Sequence, residues 1–337
     1  MAPDKKMRIL VSPLDWGLGH ATRCIPLIRS WREEGHEVVL AAEGDTAALM
    51  HEHFPDCRME PLHGYRIHYS ARLPLLLSLL IQIPKILLAI NYERRWLYNL
   101  LQKEHFDLVV SDNRYGLHSS KTKCVIITHQ LFVRVPSLLR FLQPLIHRQT
   151  QRFISAFDEC WIPDKPGTDS LSGELSQKKP LPARAKFIGW LSRFNNSPVA
   201  AEAYPSYDHV IVLSGPEPQR TVTESKLIAA VKTSQETVLM VQGKPQLTTE
   251  SIVGNIHIVS HLHDAALKHA FHHAKKITCR AGYSTLMDLA VMGKLGRHVY
   301  LLPTPGQTEQ EYLAARLVKN EVVGGFFKSD KSSNPDV

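Results

Sequence analysis

Cysteine is scarce and scattered in this 337-residue chain: Cys24, Cys57, Cys124, Cys160 and Cys279 never come closer than 33 residues apart. No Cys-x-x-Cys pair and no compact Cys/His quartet occurs, which leaves a zinc ribbon or a disulfide framework without support. The odd, widely spaced set fits a reduced, cytosolic protein. No Asp-x-Asp sequence is present. Proline and glycine number 21 and 18 and follow no period, so collagen-like and low-complexity readings fall away. Residues Met1 to Lys6 are polar and run directly into an apolar segment without an h-region, so no signal peptide is expected. Basic residues are spread along the chain, and no basic platform interleaved with aromatics appears, so nucleic acid is not an expected partner.

What is present is an apolar fraction of 44% against 21% charged residues, enough to build sizeable cores and too apolar for a disordered chain. The length suggests two domains. The formal charge of +8 favours an anionic partner, such as phosphate groups or an acidic membrane face.

The first half alternates strand and helix. Strands are predicted at Arg8–Ser12, Glu37–Ala42, Leu108–Ser111, Val125–Thr128 and Glu159–Ile162. A helix is predicted from Ala21 to about Glu34, because Cys24, Leu27, Ile28 and Trp31 keep the spacing of one helical face and Gly35 follows as a C-terminal cap. The second half repeats the logic. Its strands fall at His209–Leu213, Thr237–Val241, His257–Val259, Lys276–Cys279 and His298–Leu302. Its helices fall at Thr223–Thr233, Asp264–His273, Ser284–Met292 and Glu309–Asn320. Two such runs imply an α/β chain with two Rossmann-like, doubly wound domains facing each other across a cleft. The expected division is residues 1–193, a Pro- and Asn-bearing linker at 194–207, residues 208–328, and a polar tail at 329–337. Ligands of open α/β sheets bind at the carboxyl ends of the strands, so the chemistry belongs on the loops that follow them.

Three such loops carry informative residues. After the first strand, Asp15-Trp-Gly-Leu-Gly-His-Ala-Thr22 places Gly17 and Gly19 at a turn into a helix, where backbone can approach a ligand, and His20 at the helix start as a candidate base. A tight turn whose glycines only satisfy geometry explains the same residues, and Thr22 replaces the third glycine of a dinucleotide fingerprint. Loop two runs from Leu213 to Thr221 and offers Arg220 to neutralise a phosphate; an ordinary turn with a surface arginine is the plain alternative. In the third, Cys279 to Ala290 and then Pro303 to Tyr312, residues Gly282, Ser284 and Thr285 open a helix suited to a diphosphate. Asp288 lies one turn on and can accept from ribose hydroxyls. Gln307, Gln310 and Glu311 open the next helix with groups suited to a polyol. Capping explains Ser284 or Thr308 singly but not the whole set.

Through the Gly17-x-Gly19-His20 loop, the two-lobe order and the pattern Arg280-Ala-Gly-Tyr-Ser-Thr…Asp288…Pro303…Gln310-Glu-Tyr312, the chain resembles the GT-B glycosyltransferases. It most resembles the lipid-linked peptidoglycan-precursor N-acetylglucosaminyltransferase group and its bacterial relatives. The resemblance implies that Gly282, Ser284 and Thr285 hold the donor diphosphate, Asp288 the ribose, and Gln310 and Glu311 the donor sugar, with Arg280 and Gln307 counted among the donor-binding residues. It implies that main-chain groups at Leu262 read the nucleobase, and that Ser214, Gly215 and Arg220 form a second phosphate-facing loop. Asp15, Gly17 and Gly19 match the acceptor loop, and His20 matches the acceptor-side histidine. The family's glycine-rich first loop is reduced here to Gly17 and Gly19, its second glycine-rich loop carries prolines, and Asp288 is shorter than the usual glutamate.

The resemblance further implies inverting transfer from a UDP-sugar or other nucleoside-diphosphate sugar, with helix N-termini and Arg220 taking the electrostatic role that a metal plays elsewhere, so that neither metal nor cofactor is expected. His20, Asp112, His129 and Asp15 are the candidate bases, with His20 preferred. Rival readings are a nucleotide-sugar epimerase or hydrolase, a non-catalytic sugar-nucleotide binder, and a dinucleotide-dependent oxidoreductase using Glu43 as its ribose acid.

Leu73–Ile90 holds 13 Leu, Ile or Ala among 18 residues, but Pro74, Pro84 and Lys85 interrupt it, and a spanning helix needs ~20 apolar residues. With Arg66, His68, Arg72, Arg94 and Arg95 around it, and a second stretch at Ser137–Phe157 carrying Arg140, His147, Arg148 and Arg152, it suits docking on an anionic bilayer, the inner face of the cytoplasmic membrane, with a lipid-linked or membrane-borne acceptor. A pair of core helices with solvated ends accounts for it equally. His261, His263, His269, His272 and His273 read as a solvated face rather than a metal site.

Overall fold

The computed structural model describes residues 6–65, 82–195, 204–215 and 217–326. They form two compact units, one made of residues up to 193 and one starting at residue 194.

The first unit holds β1 (Arg8–Pro13), β2 (Glu37–Ala42), β3 (Met59–Pro61), β4 (Leu108–Asp112), β5 (Lys123–Ile127), β6 (Glu159–Ile162) and β7 (Ala185–Phe187) in one parallel sheet of order 3-2-1-4-5-6-7. Alternate residues along each strand face opposite cores. Ile9, Val11, Val38, Leu40, Val110, Val125 and Ile127 pack with Cys24, Ile25 and Ile28 of α1 (Leu18–Glu33) and Leu49 and Met50 of α2 (Gly44–His53). Leu10, Val39, Val109 and Ile126 pack with Leu97 and Leu100 of α3 (Ile83–Lys103) and Ile154 of α4 (Gln143–Ile154). A sheet covered on both faces needs apolar residues at every position, which is why these strands read as unbroken apolar runs.

The second unit follows the short helix α5 (Glu174–Gln177). It holds β8 (His209–Val212), β9 (Val238–Val241), β10 (Glu250–Val253), β11 (Ile256–Val259), β12 (Lys276–Arg280), β13 (Val299–Leu302) and β14 (Gly325–Phe326), in the order 10-11-9-8-12-13-14. All pairs are parallel except β10 with β11, a hairpin on the edge. Its helices are α6 (Gln219–Val231), α7 (Asp264–His273), α8 (Tyr283–Val291) and α9 (Thr308–Lys319). In each sheet the chain leaves its first strand for one side and later returns to the other. The switch points, β1/β4 and β8/β12, are where crevices open at the carboxyl edge.

Several predicted boundaries move, two helix starts by three or four residues. Helix α1 starts at Leu18 rather than Ala21, because Gly17, at φ 123°, turns the chain into the helix early. Helix α6 starts at Gln219 rather than Thr223: Arg220 pairs with Glu224 one turn on, and polar first turns leave no apolar period to read. Ser137–Phe157 is not one helix but a 3₁₀ segment, Ser137–Leu142, followed by α4 with a proline in its first turn. Strands β3, β7, β10 and β14 add to the predicted set. The first half of Leu73–Ile90, together with Arg66, His68, Arg72, Pro216, the middle of the 194–207 linker and the 329–337 tail, lies outside the described residues.

Asp164, just past β6, organises the loop beyond it. Its buried carboxylate accepts from the Ser170 and Ser172 hydroxyls, the backbone N–H groups of Lys165, Leu171 and Ser172, and the Trp190 indole at 3.1 Å. Burial acts to raise its carboxyl, but these donors outweigh it and hold it below the ordinary 3.8. Asp164→Ala leaves several buried donors unsatisfied, so urea unfolding at neutral pH is expected to show a loss of about 3 kcal/mol or more. Because the folded carboxyl lies below its unfolded value, this advantage of the wild type is complete above about pH 5 and shrinks as pH falls through the folded value.

Candidate functional site

At the first switch point the β1–α1 loop meets the end of β4. Gly17 is the N-cap of α1, which places His20 in the first helical turn and Arg23 one turn further along the same face. Arg23 and Asp112 are almost completely buried, and the guanidinium grips both carboxylate oxygens of Asp112 through Nε and Nη2. His20 Nδ1 lies 2.6 Å from Asp112 Oδ1. Burial acts to raise the Asp112 carboxyl, yet Arg23 and His20 together hold it below its ordinary value, so it is an anion. With the proton of a neutral imidazole on Nδ1 facing this anion, Nε2 of His20 keeps the lone pair, while Arg23 Nη2 stands 3.0 Å from the same Nδ1.

The four candidate bases thereby separate. Asp112 has no exposed surface and is committed to Arg23 and His20, so it orients the imidazole rather than taking a proton. His129 is 2% exposed and its Nδ1 lies 3.2 Å from Arg23 Nη1. Asp15 accepts from the Tyr65 N–H at 3.2 Å. His20 alone among them combines partial exposure, 18% of its side chain, with an orienting carboxylate. Arg23 was not among the sequence candidates. Its signal is a charged residue three positions after His20 on a helix face that otherwise packs on the sheet.

The second switch point brings together the loops after β8 and β12. Arg280 ends β12 and is 3% exposed. Its Nη2 donates to Thr223 Oγ1 of α6 at 2.8 Å, its Nε has no hydrogen-bond acceptor, and among the described residues no carboxylate pairs with it. Burial alone pulls its guanidinium below the ordinary arginine value. Next to it, Gly282 caps α8 with backbone only, and a Cβ built on Gly282 would meet nothing within 4 Å, so the approach to this helix start is open. Ser284 and Thr285 occupy the first turn of α8, where N–H groups lack intrahelical acceptors and the positive end of the dipole lies. Asp288 is buried one turn further along. Ser214 and Gly215 lie past β8, with Gly215 at φ 102°, and Leu262 lies in the loop between β11 and α7.

Two groups of expected donor residues are occupied within the chain. Arg220 is 3% exposed, and its guanidinium is held by Glu217 and by Glu224, the latter at 2.7 Å, so its charge is already balanced and Arg280 is the cation without an anion. The spacing of Glu217, Arg220 and Glu224 carries this pairing in the sequence itself. Gln310 Oε1 accepts from both the N–H and the hydroxyl of Thr304, its Nε2 donates to Gln307, and Glu311 accepts from the Gly306 N–H at 2.7 Å. These residues build the turn after β13. Glu43, the acid that a dinucleotide reading needs, accepts from the Gly64 N–H and contacts His63 Nδ1 at 2.8 Å.

Among the described residues no three His, Cys, Asp or Glu side chains are placed to hold a metal ion. His269 and His273 do lie ring to ring, 4.3 Å apart, while His263 caps α7 by accepting from the Ala266 N–H.

No protein-family model matches the sequence, and no curated protein matches it. Solved structures do match over nearly the whole chain. Glycosyltransferase SnogD from Streptomyces nogalater is 16% identical, with 96% of this chain and 88% of that one covered and a TM-score of 0.59. Arabidopsis thaliana UGT89C1, complexed with UDP-L-rhamnose, is 13% identical, with 98% and 87% covered and a TM-score of 0.59. MurG of Acinetobacter baumannii is 13% identical, with 97% and 87% covered and a TM-score of 0.52. The chain therefore has the GT-B fold.

Asp112→Ala leaves Arg23 buried without its anion, and a stability loss of about 3–5 kcal/mol is expected in urea unfolding. The double substitution Arg23→Met with Asp112→Leu is expected to recover most of it, since it removes both charges. A loss under ~1 kcal/mol for Asp112→Ala would contradict the burial argument.

Proposed function

We propose that this chain is a glycosyltransferase that moves a sugar from a UDP-sugar, or another nucleoside-diphosphate sugar, to a hydroxyl of a lipid-linked or membrane-borne acceptor, with inversion and without metal. The observation that carries the reading is Arg280, a buried guanidinium with no carboxylate partner among the described residues, beside the open N-terminus of α8. A cation desolvated in this way is costly unless an anion joins it, and a diphosphate at the helix start supplies that anion. The fold shared with UGT89C1 and MurG supports the same ligand class.

In this reading the acceptor hydroxyl attacks C1 of the donor sugar while Nε2 of His20 takes its proton. The C1–oxygen bond to the nucleoside diphosphate breaks, and the bonding pair leaves with the diphosphate. Asp112 steadies the imidazolium that forms, and Arg280 with the first N–H groups of α8 steadies the leaving charge. Gly17 and Gly19 keep the backbone beside His20 small enough for an acceptor to approach.

The acceptor class rests on exposed apolar side chains of the first unit. Leu88 of α3 is 70% exposed and Phe141 of the 3₁₀ segment 75% exposed, with Ile83, Leu87 and Leu145 also exposed, and the same elements carry the exposed Arg94, Arg95, Arg140 and Arg148. Apolar surface mixed with arginine fits an anionic bilayer. No described helix is long and apolar enough to cross a membrane.

Three experiments test this. In a thermal-shift panel of UDP, GDP, dTDP and NAD, a nucleoside diphosphate at 100 times its dissociation constant adds ~2.7 kcal/mol, and Arg280→Met is expected to abolish the shift. With a UDP-sugar and acceptor, His20→Ala is expected to lower kcat by on the order of 100-fold. A shift with NAD alone, or full turnover by His20→Ala, contradicts the assignment. In flotation with vesicles of phosphatidylcholine and phosphatidylglycerol, the wild type is expected to float and the Leu88→Asp, Phe141→Asp double variant to stay behind; equal behaviour contradicts membrane docking.

A further inference from the structure

Glu93 lies on α3, has no exposed surface, and plays no part in the proton transfer just described. Three groups converge on its carboxylate, and all three are donors. The Tyr65 hydroxyl donates to Oε2 at 3.1 Å, the Gly116 N–H donates to the same oxygen at 3.0 Å, and Arg114 Nη1 stands 3.5 Å from Oε1. Oε1 takes no hydrogen bond. The helix can come this close because residue 116 is glycine: a Cβ there would lie 2.2 Å from the Ile90 carbonyl oxygen and 2.6 Å from Glu93 Cβ.

The same partners hold the loop that carries His20. Arg114, itself fully buried, donates from Nε to the Pro13 carbonyl at 3.2 Å and from Nη1 and Nη2 to the His63 carbonyl at 3.4 and 3.3 Å. The Tyr65 N–H donates to Asp15 Oδ1 at 3.2 Å, and the Tyr65 ring meets Trp16 edge-on at 5.9 Å. Pro13, Asp15 and Trp16 are thus fastened to two residues whose polar ends turn to Glu93.

The geometry points to Glu93 as a positioning residue: through Arg114 and Tyr65 its carboxylate holds the loop 13–17 in the place that lets His20 act. The inference rests on the role assigned above to His20 and adds a control to it.

An ionised carboxylate is the state that suits three donors, whereas burial favours the neutral acid. Burial is the larger effect and raises the Glu93 carboxyl to about 7, against the lowering influence of Arg114, the Gly116 N–H and the Tyr65 hydroxyl. The charged or titratable groups facing it from other elements are Arg114, Tyr65 and, further off, Asp15, which acts to raise it; Arg94 and Arg95 flank it on its own helix and are exposed. Above about pH 7 the carboxylate holds Arg114. Below it the acid releases that hold while the fold itself gains, because a raised folded value means stability is lost, not gained, as pH rises through it. The buried charge therefore costs stability and keeps a loop in place.

Glu93→Gln imitates the neutral acid and sets an amide N–H₂ against the Arg114 guanidinium. The test is amide hydrogen exchange of residues 14–20 in the full chain, comparing wild type, Glu93→Gln and Tyr65→Phe at about pH 8 and about pH 6, with each variant referred to the wild type at the same pH. Glu93→Gln is expected to exchange several-fold faster than wild type at the higher pH and to match it at the lower, where the wild type has taken up the proton. Tyr65→Phe keeps the ring under Trp16 and loses only the hydroxyl. It is expected to give a smaller acceleration, and it carries the test should Glu93→Gln fail to fold. Measured in parallel, kcat of Glu93→Gln is expected to fall on the order of 10-fold at the higher pH, with the ratio closing at the lower and the donor KM unchanged. Equal exchange in all proteins, or an acceleration of the same size at both pH values, overturns the proposal. Exchange differences as expected in a protein without transferase turnover would sink the role of His20 and leave the hold of Glu93 on the loop standing.

Discussion

A buried ion pair, Arg23 with Asp112, is the constraint on which the first unit's chemistry depends. It joins the second turn of α1 to the end of β4 across the switch point, and each charge is buried at tolerable cost because the other is beside it. Because Arg23 neutralises Asp112 in place, the carboxylate stays ionised while buried and can fix the tautomer of His20. The turn at Gly17, the early start of α1 and the length of β4 all serve to bring these three side chains to one point.

The two units treat buried charge differently, and the difference maps onto their proposed tasks. In the first, Arg23 and Arg114 each have an internal carboxylate, so the site is a finished framework that presents one imidazole. In the second, Arg220 is balanced by Glu217 and Glu224, while among the described residues Arg280 is supported by a threonine hydroxyl and no carboxylate. A framework cation is a structural part; an unbalanced one beside a helix N-terminus is what the proposed function uses to hold an anionic donor.

The central strands were legible because sheets covered on both faces demand continuous apolar runs, as at Ile9–Val11 and Val109–Val110. Strands β3, β7, β10 and β14 were not, since Met59–Pro61, Ala185–Phe187, Glu250–Val253 and Gly325–Phe326 are short and lie at or next to sheet edges without such runs. His20 and Asp112 were visible as chemistry-bearing residues after strands, but not as a pair, because 92 positions separate them and only the β1/β4 pairing joins them. Arg23, Glu93 and Arg114 stayed hidden for a related reason: a charge within a helix or loop reads as solvated until its long-range partner is placed. Arg220 is the reverse case, where the spacing to Glu217 and Glu224 already contained the answer.

The central claim is that the donor diphosphate is held by Arg280 and the start of α8. A crystal structure of the protein with UDP bound tests it most directly. The account predicts phosphate oxygens within hydrogen-bonding distance of the Arg280 guanidinium and of the backbone N–H groups of Gly282 to Thr285. Phosphates seated instead on the Gly17–Gly19 turn, with Arg280 left without an anion, would contradict it.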